Sequence, residues 1–149
     1  MKRRRFLNSA VAISLMAVPL TGCAGQGPGR ENLQSFGSID EAYAAVDDIV
    51  DCDSKPVGDP VVPMGDGVRL TSAQRLCSEN VQIDLYPNQD ALEESYQTWA
   101  ASRQGKIPLV RGSNWMVGDL SQIATGQQST LNIERLAEKL NGVYAVVGA

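Results

Sequence analysis

Apolar residues recur at helical spacing in three stretches of the chain and alternate with polar ones in a fourth. Ile39, Ala42, Tyr43, Val46 and Ile49 fall on one face of a helix that runs from Ser38 to about Val50. Ser38 and Glu41 open it as a capping box, Ser-x-x-Glu, each side chain accepting a backbone N–H that the first turn leaves free. Asp40, Glu41, Asp47 and Asp48 take its outer face. Leu92, Tyr96 and Trp99 mark a second helix, capped by Asn88 and ended by Gly105. Ile133, Leu136, Ala137 and Leu140 mark a third, capped by Asn132 and stopped at Asn141-Gly142. The alternation is clearest in Val81-Gln82-Ile83-Asp84-Leu85-Tyr86, closed by Pro87, which reads as a strand.

Weaker strand signals surround that one. Val68 to Cys77 offers Val68, Leu70 and Leu76 for burial, and the Ser78-Glu79-Asn80 turn pairs it antiparallel with the next strand. Pro108–Val110 and Trp115–Val117 flank Arg111-Gly112-Ser113-Asn114 as a hairpin. Val143–Val147 supplies a last strand, and Val57, Val61 and Val62 a short edge strand within the turn-rich stretch 51–66. Residues 121–130 are polar and loop-like. The apolar faces need each other. The pattern predicts one α+β domain over 38–149: a small antiparallel sheet with about three helices packed on one face.

The N-terminus has a different pattern. Met1-Lys2-Arg3-Arg4-Arg5 precedes an apolar run from Phe6 to Leu20, and then comes Leu20-Thr21-Gly22-Cys23. A charged head, a short apolar middle and small residues at a cut site make a secretory signal over 1–22. The middle spans 15 residues, whereas a membrane-spanning helix needs roughly 20. Leu-Thr-Gly-Cys resembles the lipobox of bacterial lipoproteins. The resemblance implies lipid on the Cys23 thiol and cleavage before it. Two acyl chains give a stable anchor where one does not. Arg3-Arg4-Arg5-Phe6-Leu7 resembles a twin-arginine export signal, a route for folded proteins; an ordinary Arg-rich head is the alternative. Residues 23–37 are rich in Gly and polar residues and read as a lipidated N-terminus and tether.

Cleavage changes the charge. It leaves nine Lys and Arg against 17 Asp and Glu, a net charge of −8. Such a chain repels phosphate, so nucleic acid is not an expected partner. No histidine is present among the 149 residues. Ser-His-Asp and Cys-His arrangements are therefore excluded, with His-bearing zinc and iron sites. Once Cys23 carries lipid, Cys52 and Cys77 remain as a pair, and a pair in an exported protein reads as a disulfide. Two free thiols are the rival; a metal site would need soft ligands that the chain does not supply.

Candidate chemistry is sparse. Eight carboxylates lie between Asp40 and Asp66, but their spacing does not fit a calcium loop, and a solvated acidic face accounts for them better. Nothing singles out a carboxylate pair for glycoside cleavage. Lys55, Lys106 and Lys139 sit in expected loops or on a helix, not in a site that would desolvate one for Ser-Lys catalysis. No catalytic residue, metal or cofactor is expected. Trp115, Asn114 and Trp99 are candidate ligand contacts, because an indole beside a turn can stack on a sugar or a peptide; core packing is the competing role.

Over residues 36–118 the order of features resembles small lipoproteins of Gram-positive bacteria. The features are the capped helix at Ser38–Glu41, Cys52, Cys77, the strand Val81–Tyr86 and Gly112–Trp115. The resemblance implies a disulfide-pinned α+β domain and names no reaction. The expectation is a lipoprotein on the extracytoplasmic face of the cell membrane, held by lipid on Cys23. It would bind an envelope protein, a peptide or a wall component without catalysis. The alternative is an accessory lipoprotein for a small ligand or cation. A mature chain of 127 residues is too small for a two-lobed solute receptor.

Overall fold

The computed structural model describes residues 32–149. The signal sequence, Cys23 and the first part of the expected tether lie outside the described residues. Among the described residues no helix is long and apolar enough to cross a membrane.

Helix α1 (Ile39–Val50) begins where the capping box places it. Ser38 Oγ accepts the Glu41 N–H at 3.2 Å, and Glu41 reaches back to the Gly37 N–H at 2.9 Å. The helix ends at Asp51, whose left-handed φ of 59° turns the chain. A short polar residue tolerates that conformation better than an apolar one. Next comes a small hairpin, β1 (Met64–Gly65) and β2 (Val68–Arg69). The main sheet contains β3 (Ala73–Ser78), β4 (Val81–Leu85), β5 (Ile107–Arg111), β6 (Trp115–Asp119) and β7 (Val143–Val147). Its order is β3-β4-β6-β5-β7, every pair antiparallel. Helix α2 (Gln89–Ala100) joins β4 to β5 and is capped by Asn88, whose Oδ1 accepts the Ala91 N–H at 2.9 Å. Two short helices, α3 (Ser121–Thr125) and α4 (Glu134–Lys139), lie between β6 and β7.

The α+β class, the antiparallel sheet and the disulfide stand as the sequence predicts. The placement of the helices on one face does not. α1 and α4 pack with Val81, Ile83, Val110, Trp115 and Val117. α2 packs on the opposite side through Leu92, Tyr96 and Trp99, against Ile107, Leu109 and Met116. Both faces of β5 and β6 are apolar, so both need a helix.

Five local expectations also change. Residues 57–62 form no strand, and the stretch 68–77 divides into β2 and β3. The 121–130 loop contains α3. α4 starts at Glu134 with no side-chain cap, so Asn132 does not cap it. The domain begins before Ser38: Phe36 is buried, and Gln34 accepts backbone N–H from Ser113 at 2.8 Å. The later part of the expected tether is thus built into the fold.

The disulfide pins α1 to the sheet. Cys52 and Cys77 are bonded, with Cα atoms 4.7 Å apart. β3 bulges between Leu76 and Ser78, which leaves Cys77 outside the regular ladder with β4. Its carbonyl instead accepts the Asp53 N–H at 2.7 Å.

Candidate functional site

The polar positions of β4 are where sequence and structure part most. Alternation places Val81, Ile83 and Leu85 on the α1 side, and these are buried. Gln82, Asp84 and Tyr86 face the other way and are buried as well. Residues 57–68, an arm lying over this edge of the sheet, explain why. Gln82 clamps the backbone of Val61 with both ends of its amide: Oε1 accepts the Val61 N–H at 2.8 Å and Nε2 donates to the Val61 carbonyl at 2.9 Å. Gln74 Nε2 donates to the same carbonyl at 2.9 Å. The arm is further tied by Leu70 N–H to the Pro63 carbonyl at 3.0 Å.

Asp84 organises the clamp from below. It accepts from Gln74 at 2.8 Å, from Gln82 at 2.9 and 3.0 Å, and from Tyr86 at 3.4 Å. The Tyr86 hydroxyl also shares a hydrogen bond with Ser95 of α2 at 2.8 Å. Burial pushes the Asp84 carboxyl up from 3.8 to about 6, outweighing the donors from Gln74, Gln82 and Tyr86 that favour its charge. Burial, and then the Asp84 charge, raise the Tyr86 phenol.

Asp84 gives the domain a pH signature. Between 3.8 and about 6 the folded carboxyl holds a proton that the unfolded one has released. Its contribution to stability is therefore largest below pH 4 and falls as pH rises through 6. The span is on the order of 2–3 kcal/mol. Urea unfolding at pH 4, 5, 6 and 7 should show it as a difference between the native chain and Asp84→Asn, which cannot ionise. Parallel curves for the two proteins would show that Asp84 is not held protonated.

The clamp turns the arm inside out. It spends the arm's backbone on the sheet and leaves large apolar side chains in water. Val57 is 71 % exposed, Val68 66 %, Val61 51 % and Met64 49 %. At the other edge of the sheet, a groove of about 310 Å³ lies beside β7, with Tyr144, Val146, Pro108 and Leu131 among its lining. Asp119 and Glu134 also line it. Burial raises the Tyr144 phenol above its ordinary value, and the negative charges of Glu134 and then Asp119 add to that.

The residues singled out by sequence are used elsewhere. Trp115 is fully buried and donates its Nε1–H to the Gln34 carbonyl at 2.9 Å. Asn114 brackets Phe36, accepting its N–H at 3.0 Å and donating to its carbonyl at 2.8 Å. Both hold the segment before α1 and present no stacking surface to a ligand. Trp99 is half-buried against the α2-side core and does not meet them. The acidic residues of 40–66 are dispersed. Asp40 pairs with Arg75 at 3.0 Å, and Asp47 accepts the Cys52 N–H at 2.8 Å. Among the described residues no group of three or more acids or cysteines is placed to hold a metal ion. The arm and its clamp are not legible in the sequence, where the one signal for them is the run of valines among turn formers at 57–68.

The chain matches no known protein family, no curated protein and no solved structure.

Proposed function

We propose that this chain is an exported lipoprotein, cut before Cys23 and anchored by lipid to the outer face of the cell membrane. Its domain serves as a non-catalytic module that binds another envelope protein or a wall component. The basic head, the apolar run and Leu20-Thr21-Gly22-Cys23 support the anchor. The arm carries the binding role: Val57, Val61, Met64 and Val68 are exposed within one short segment that buried polar side chains hold in place. A cluster of exposed large apolar side chains on an ordered segment marks an interaction surface. Eight residues, 24–31, separate Cys23 from Asn32. Fully extended they reach roughly 30 Å, so a partner would be met close to the membrane.

Two measurements test this reading. Cys23→Ala should leave the chain at its full length or release it from the membrane fraction. A Cys23→Ala protein of mature size that stays membrane-bound would refute the anchor. A photo-crosslinking residue placed at Met64 or Val68 in the native cell should give a discrete adduct that the same probe at Asp48, on the outer face of α1, does not. Identical adduct patterns from all three positions would remove the arm as the binding surface.

A further inference from the structure

β7 is an edge of the main sheet, and among the described residues its outer side carries none of the usual protections. Its sequence, Val-Tyr-Ala-Val-Val, has no charge and no proline. Native edges are normally blunted by charge, proline, a bulge or a covering segment. The opposite edge is partly covered: Asp53 bonds to Cys77, and Gln74 of β3 holds the arm.

The register tells which groups of β7 point outward. Gly112 N–H donates to the Trp115 carbonyl at 2.9 Å, so 112 and 115 are a bonded pair. Bonded and non-bonded pairs alternate along an antiparallel ladder. Val110 therefore bonds to Val117, while Leu109 and Arg111 turn their backbone groups toward Ala145 and Val143. Pro108, opposite Val146, needs no N–H for this arrangement. Tyr144 and Val146 are left with N–H and C=O directed away from the sheet. Among the described residues no backbone bond outside the sheet is made by 143–147. The side chains of the same two residues, Tyr144 and Val146, line the groove with Asp119 and Glu134.

We propose that β7 and this groove form a docking site for an extended polypeptide segment that carries a basic side chain. The segment adds to the sheet beyond β7, bonding to the outward groups of Tyr144 and Val146. Every second side chain then enters the groove, because alternate residues of a strand share a face. Charge selects the occupant. Asp119 is buried, with one oxygen accepting the Ser121 N–H at 2.9 Å, and Glu134 is exposed at the rim. Among the described residues Lys106 is the one basic residue of the lining, set against Asp119 and Glu134, so the groove is net acidic. A second copy, paired β7 to β7, would bring two acidic grooves together and is disfavoured. This site lies at the opposite edge of the sheet from the arm and goes beyond the proposed binding role. Its test needs no lipid on Cys23, so failure of the anchor reading leaves it untouched.

The full chain in detergent is titrated with a synthetic peptide of alternating lysine and valine, about eight residues long. A glutamate–valine peptide of equal length is the control. The lysine peptide should slow hydrogen exchange at the Tyr144 and Val146 amides and bind about tenfold more tightly than the control at low salt. Val146→Pro removes one outward N–H at an edge position that tolerates proline, and should weaken binding about tenfold. Glu134→Gln should weaken it about threefold without touching the backbone. Equal affinity for the two peptides, or unchanged exchange at Tyr144 and Val146, overturns the proposal. So does protection of those amides in the peptide-free chain: a concentration-dependent case would assign the edge to a second copy, and a concentration-independent one to the chain's own N-terminal residues.

Discussion

Trp115→Ala is expected to lower the unfolding free energy by about 4 kcal/mol, as truncation of a buried tryptophan does. The indole is fully enclosed and packs 5.5 Å, centroid to centroid, from the Phe36 ring. Its Nε1–H holds the Gln34 carbonyl, which also takes the Ser113 N–H at 2.8 Å. Truncation therefore opens a cavity on the α1 side of the sheet and loosens the segment that leads into α1. Trp115→Phe separates the two effects. It keeps much of the ring volume and loses the N–H, so about 1–2 kcal/mol should go. Gly112→Ala approaches the same spot from outside. A Cβ there would lie 2.0 Å from Trp115 Nε1 and 2.6 Å from the Gln34 carbonyl, so the indole and the entry segment must both move. A loss of about 1–3 kcal/mol is expected. Urea titrations followed by far-ultraviolet circular dichroism measure all three. A loss below about 1 kcal/mol for Trp115→Ala would fall short of any core tryptophan. It would return Trp115 to the list of ligand contacts.

The same residue shows how far sequence reasoning reaches. Gly112-Ser113-Asn114-Trp115 is legible as the close of a hairpin, and the strands that flank it form as predicted. Its second task is not legible, because the partners Gln34 and Phe36 lie about eighty positions away, in a stretch whose composition reads as tether. Local signals fared well where the chemistry is local. The Ser38–Glu41 box, the Asn88 cap and the β4 alternation each depend on residues a few positions apart. Periodicity says that a helix has an apolar face but not which side of the sheet receives it. The clue to α2 was in the strands: Leu109 and Val110, or Trp115 and Met116, are adjacent apolar residues that must point to opposite faces. The burial of Gln82 and Asp84 lay beyond local reasoning altogether. Alternation with polar residues ordinarily marks a wet face. Here the polar face is roofed by the backbone of Val61, and only the tertiary fold brings that loop across.

Removing the disulfide is expected to cost about 3.5 kcal/mol from loop closure, since the two cysteines are 25 positions apart. The loop it closes contains the whole arm, so the unfolded chain gains most freedom in the segment that carries the exposed valines. Two native contacts lie beside the bridge and are expected to survive its loss. Asp47 still accepts the Cys52 N–H, and Cys77 still accepts the Asp53 N–H. These should hold the end of α1 near β3, so the folded state changes little and the cost falls on the unfolded side. That has a consequence for additivity. Cys52→Ala and Cys77→Ala break the same single bond, so the double variant should be only slightly less stable than either alone. Cys77→Ala should cost somewhat more than Cys52→Ala, because Cys77 is fully buried and its sulfur also packs in the core. Chemical denaturation of the three variants measures this. If the double variant loses the sum of the single losses, each cysteine contributes by its own packing and the bridge is not what stabilises the domain. If it loses only slightly more than the larger single loss, the covalent tie is the source. The arm should then become the first segment to exchange its amide hydrogens once that tie is cut.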